Sequence, residues 1–157
     1  MRDFALPINR SISLMIIATL GALLGSCGAF PITLGGGTSS TNDAVPSGVI
    51  TAQGSFTSLN GKVVTGTAVI YFVSSGNYIV RLNGISVPSE NALQMVPVID
   101  GTAQTPVQLE SDSGNQDYSV EYSGTPGHWN QVNIHSTIYN LDYGQALLQC
   151  ASGATSC

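Results

Sequence analysis

The chain has 157 residues, of which 8% are charged, against roughly 25% in an average soluble protein. Past Cys27, the two basic residues Lys62 and Arg81 stand against eight acidic ones, a net charge of −6 for that part. Such a surface repels phosphate backbones and argues against nucleic acid as a partner, and the length leaves room for one ordinary core.

The first ten residues carry Arg2 and Arg10, and no charge follows from Ser11 to Phe30. A basic start and the short apolar run SISLMIIATLGALL read as an export signal. The run closes in Leu24-Gly25-Ser26-Cys27. Small residues there let a peptidase grip the extended backbone, and the thiol after them is open to alkylation by a diacylglyceryl group. This stretch resembles the lipobox of bacterial lipoproteins. The resemblance implies a signal peptide over residues 1–26 and a lipid anchor on Cys27 in the bacterial cell envelope. Because residue 28 is Gly and not Asp, it also implies the outer membrane as the default address in an organism that has one. Each buried methylene contributes about 0.8 kcal/mol, so two or three chains hold almost permanently. The competing reading is an uncleaved membrane helix, since the charge-free run approaches the ~20 residues that span a bilayer. Its Ser and Gly content and the placed cysteine weigh against that.

Residues 28–48, GAFPITLGGGTSSTNDAVPSG, hold three consecutive glycines and two prolines without apolar period. With Cys27 they read as an acylated, flexible tether, whose root-mean-square reach is roughly 25 Å. The domain proper is expected over 49–150, with 151–157 as a C-terminal tail.

Alternation and turn residues predict strands over 49–56, 63–73, 78–82, 93–99, 107–109, 118–122, 131–138 and 145–150. They are separated by NG, SSGN, DG, SDSGN and SGTPG. Ala68, Ile70 and Phe72 share one face, as do Tyr78, Val80 and Leu82, and Tyr118, Val120 and Tyr122. No helical period competes. The expected fold is all-β, a single antiparallel β-sandwich or flattened barrel of about eight strands.

With Cys27 assigned to lipid, Cys150 and Cys157 remain as an even pair, which an oxidising compartment favours as a disulfide. Closing so short a loop contributes roughly 2 to 3 kcal/mol in the chain-entropy model. Two free thiols on a frayed end are the alternative. No histidine or further cysteine lies near them in sequence, so no metal site is expected.

The segment Gly114-Asn115-Gln116-Asp117-Tyr118-Ser119-Val120 resembles the "G-N-Q-x-Y-x-I" segment of the DM13 domain, a small extracytoplasmic β-module. Gly66 to Tyr71 resembles that family's early "GTAxI" strand, Tyr78 to Leu82 its "xLR" strand, and Trp129 to Leu148 its closing strand pair. The family implies an electron-transfer role as the alternative function. Aligning Tyr143-Gly144-Gln145-Ala146-Leu147 with its "FGxAxL" ending, however, puts Ser136 at the family's cysteine. A hydroxyl cannot cycle between thiol and disulfide or act as a soft ligand. Asn91-Ala92-Leu93 stands where the family has "GPDL", without the acidic residue.

In VNIHS, Val132 and Ile134 point one way and Asn133 and His135 the other, which places His135 on the solvent or rim face. For a metal site it would need His128 or Asp142. Ser136, next to it on a strand, faces away, so no nucleophile–base pair is expected, and no Gly-x-Ser-x-Gly elbow occurs. His135, Trp129, Tyr139 and Tyr143 form the candidate ligand surface for a protein or glycan of the envelope. The expected function is a lipid-anchored, non-catalytic binding or envelope-associated module, reaching the membrane through its anchor, with no cofactor.

Overall fold

A computed structural model describes residues 44–124, 128–153 and 157. The expected signal segment, the expected lipid-attachment position Cys27 and the expected tether up to residue 43 lie outside the described residues. Among the described residues ten strands follow in order: β1 Val49–Ser58, β2 Thr65–Ser74, β3 Asn77–Ser86, β4 Leu93–Ile99, β5 Thr102–Ala103, β6 Val107–Gln108, β7 Ser113–Glu121, β8 Trp129–Ser136, β9 Leu141–Leu147 and β10 Gln149–Cys150. All pairings are antiparallel, in the order β5-β4-β8-β9-β1-β2-β3-β7, with β10 also on β1 and β6 also on β4. The all-β, flattened-barrel expectation holds.

β1 makes the bend. Its stretch Val49 to Ser55 pairs with β2, whereas Phe56, Thr57 and Ser58 pair with β9. One half of the sheet is therefore β1-β2-β3-β7 and the other β9-β8-β4, and both line one core. Ala68, Ile70, Val80, Leu82, Tyr118 and Val120 come from the first half, and Leu93, Met95, Ile99, Val132, Ile134 and Ala146 from the second. Tyr78 meets Trp129 across the gap at 5.3 Å. No ladder joins β7 to β5 or β6 among the described residues, so the barrel is half open.

Turn chemistry sets the registers. Asp100 and Gly101 both have positive φ (52° and 74°) and connect β4 to β5 in two residues, as a primed hairpin turn requires. β5 and β6 pair with opposite ends of β4 and leave Pro97 between them, where the missing N–H costs no ladder bond. Inward alternation is as expected on β3 and β7, but Phe72 departs from it. It is 37% exposed and meets Tyr78 edge-on at 5.7 Å, at the β2 end where the pairing with β3 shifts register between Phe72 and Ser74. The last expected strand, 145–150, is two elements: β9 starts four residues earlier, and β10 leaves it to pair with β1.

Candidate functional site

Three connections gather at one end of the barrel: residues 59–64, 87–92 and 137–140. Lys62 extends from the first and Glu90 from the second, and their charged atoms lie 3.0 Å apart. The Tyr143 hydroxyl donates to the other Glu90 oxygen. Lys62 Nζ sits 4.7 Å from the centre of the Tyr143 ring and 5.5 Å from that of Tyr139, within cation–π range. The Tyr143 hydrogen bond, and then Lys62, hold the Glu90 carboxyl below its ordinary range. The bond to Glu90, and then Tyr143, raise Lys62.

A bulge sets the neighbouring group. On β8–β9, Ile134 pairs with Gly144 but His135 pairs with Asp142, so Tyr143 is the extra residue. The bulge turns the Tyr143 ring into the core and brings Asp142 beside the imidazole. His135 Nδ1 lies 2.8 Å from Asp142 Oδ1, and Asn133 Nδ2 donates to Asp142 Oδ2 at 3.2 Å. Asn60 Nδ2 donates to the Asp142 carbonyl at 2.8 Å and ties the first connection to the same strand.

His135 thus faces the rim as expected, and of its two considered partners it meets Asp142. His128 precedes β8 at its other end, roughly 23 Å away at about 3.3 Å per strand residue. Ser136 is fully buried, and its hydroxyl accepts from the Tyr139 N–H at 3.4 Å. It faces the core, away from the imidazole.

The four-residue ligand surface needs correction. Trp129 is 1% exposed and Tyr143 fully buried, so both belong to the core, because the bulge and the contact with Tyr78 draw their rings inward. Tyr139 is 59% exposed and remains at the rim with His135. Lys62, Glu90 and Asp142 complete this end. Sequence reading found Lys62 only as a charge, because its partners come from connections 28 and more residues away. A second feature, an open groove of about 400 Å³, lies where β1 leaves β2, and Gln53, Ser55, Thr67 and Gln149 line it with uncharged polar groups.

At the far end, Cys150 and Cys157 are joined in a disulfide, with Cα atoms 5.3 Å apart. No histidine lies near them in sequence, yet the fold brings one close: His128, 29 residues from Cys157, places its Nδ1 3.8 Å from Cys157 Sγ. His128 meets the cysteines because the next residue, Trp129, donates its N–H to the Cys157 carbonyl, and Cys157 is bonded to Cys150 on β10.

Comparison of the chain with protein-family models, curated proteins and solved structures gives no match.

Proposed function

We propose that the chain is a bacterial lipoprotein whose acylated Cys27 holds a single β-domain outside the cytoplasmic membrane, where it acts as a non-catalytic binding or envelope-associated module. The observation that carries this reading is the basic, then apolar segment closing in Leu24-Gly25-Ser26-Cys27. An oxidised cysteine pair in the domain agrees with an exported protein. The binding end we favour is the rim of Tyr139, Lys62 and His135. It offers an exposed ring and a cation on two loops and an imidazole at the end of β8, the residue types that supply contact area and orientation to a protein or glycan ligand. Burial of Ser136 gives no support to the DM13-type electron-transfer reading, since that position presents a hydroxyl to the core.

Mass spectrometry of the protein extracted from membranes tests the anchor. A chain starting at Cys27 with the mass of a diacylglyceryl group is expected. A start upstream of that sulfur, or a bare thiol there, overturns it. Capture of an envelope component by the wild-type domain, lost in Tyr139→Ala with an unchanged melting temperature, tests the rim.

A further inference from the structure

We propose that His128, Cys150 and Cys157 form a redox-gated site for a thiophilic d10 cation, Zn2+ being the probe. One nitrogen and two sulfur atoms lie within 4.8 Å of one another. A cation bound tetrahedrally by these donors sits about 2.3 Å from sulfur and about 2.0 Å from nitrogen, which puts an S···N pair about 3.6 Å apart. The observed 3.8 Å between Cys157 Sγ and His128 Nδ1 is close to that edge. Three protein ligands and one open position is a set that soft d10 ions accept.

The backbone holds each donor independently. The His128 N–H donates to Asp100 Oδ1 at 2.8 Å and its carbonyl accepts from the Asp100 N–H at 2.9 Å. Cys157 offers its carbonyl to the Trp129 N–H. Cys150 lies in β10 opposite Ala52, and the next residue, Ala151, donates to the Thr51 carbonyl at 2.8 Å. These contacts fix the donors without the disulfide, so its reduction leaves the three groups gathered. His128 and Cys150 are exposed, which gives a reductant and an ion access.

The gate is the sulfur–sulfur bond. While it exists, neither sulfur is a thiolate and the imidazole stands alone. A dithiol reductant attacks one sulfur, a mixed disulfide forms, and the reductant's second thiol resolves it. The chain gains two electrons and two protons as two thiols, and the reductant leaves as its own disulfide. Binding of the cation then releases both thiol protons. This site lies at the opposite end from the Tyr139 rim and does not depend on the anchor.

The test uses the full chain carrying Cys27→Ser, which removes the remaining cysteine, in detergent with Zn2+ and a colorimetric chelator. One Zn2+ per chain is expected after reduction by a phosphine and none in the oxidised protein. Cys150→Ser and Cys157→Ser should abolish binding, and His128→Ala should weaken it at least tenfold. Zinc should also slow alkylation of both thiols, a readout that circular dichroism of the reduced chain ties to a folded domain. Equal retention by oxidised and reduced protein, retention by Cys150→Ser, or no retention by a reduced chain that is still folded overturns the proposal.

Discussion

The side-chain carbonyl of Gln116 accepts the hydroxyl of Tyr118, two residues further along the same inward face of β7. Both are buried, and the pair takes the Glu110 N–H at 3.3 Å from each oxygen, while Gln116 Nε2 donates to the Ser111 carbonyl at 2.7 Å. Residues 109–112 carry the chain from β6 to β7, between the two halves of the barrel, so this pair clamps the crossing. Gln116→Leu conserves bulk but strands several polar groups, and is expected to cost about 2–3 kcal/mol. Tyr118→Phe removes one bond and should cost about 1 kcal/mol. Urea denaturation gives both values, and the reverse order would contradict the clamp.

Burial holds the Tyr118 hydroxyl far above its ordinary value of 10.0, and it raises Tyr78 as well. Both bind their protons more tightly in the folded chain. Their contribution is whole below about pH 10 and is lost as pH rises toward the folded values, at up to about 1.4 kcal/mol per pH unit for the buried Tyr118 and less for Tyr78. Stability measured from about pH 9 to about pH 12 should fall, and Tyr118→Phe should flatten the slope.

A methyl on Gly54 would sit 2.0 Å from the Leu147 carbonyl oxygen, where β1 passes from β2 toward β9. Backbone stands on the other side, so nothing can rotate away. Gly54→Ala is expected to cost about 3 kcal/mol or more, or to prevent folding. Gly61→Ala, with φ +69° and nothing within 4 Å, should cost only about 1–2 kcal/mol. Thermal melts of the two variants make the comparison.

Arg81 is 4% exposed on the outer face of β3, opposite Asp117 in the register. Its guanidinium lies 3.0 Å from Asp117 Oδ2 and donates to the Ala44 carbonyl at 3.0 Å. Arg81→Met leaves a carboxylate facing low-dielectric surroundings and should cost about 3 kcal/mol. Replacing Asp117 by Leu in the same chain should recover part of that. Chemical denaturation of both chains checks it, and additive losses would refute the pairing.

His135→Ala removes a rim bond whose imidazole side chain is 26% exposed. Surface pairs contribute little, so the change in stability should stay within about 0.5–1 kcal/mol. A loss of several kcal/mol in urea denaturation would put the ring in the core.

Strand periodicity made most of the fold legible, because buried and more exposed residues alternate on β7 from Gln116 to Glu121 and core residues recur at every second position from Tyr78 to Leu82 on β3. What it missed shares one cause, contacts that local spacing does not encode. The bulge that turned Tyr143 inward comes from a register shift against β8. Trp129 is buried because Tyr78 crosses to it from the other half. The join of His128 to the cysteines depends on which strand β10 chooses, and Lys62 finds Glu90 only after two loops fold to the same end. GNQ-Y stood out as a pattern, and its role as a clamp follows only from where Glu110 and Ser111 are brought.

Because β1 serves both halves, a pull applied at its first residue, Val49, enters both halves through one strand. The bonds to β2 on one flank and to β10 and β9 on the other then resist sliding together, and no single rung opens first. Under our proposal of a surface anchor, the domain should withstand drag that would peel a strand loaded at right angles, and its mechanical lifetime would follow its unfolding rate.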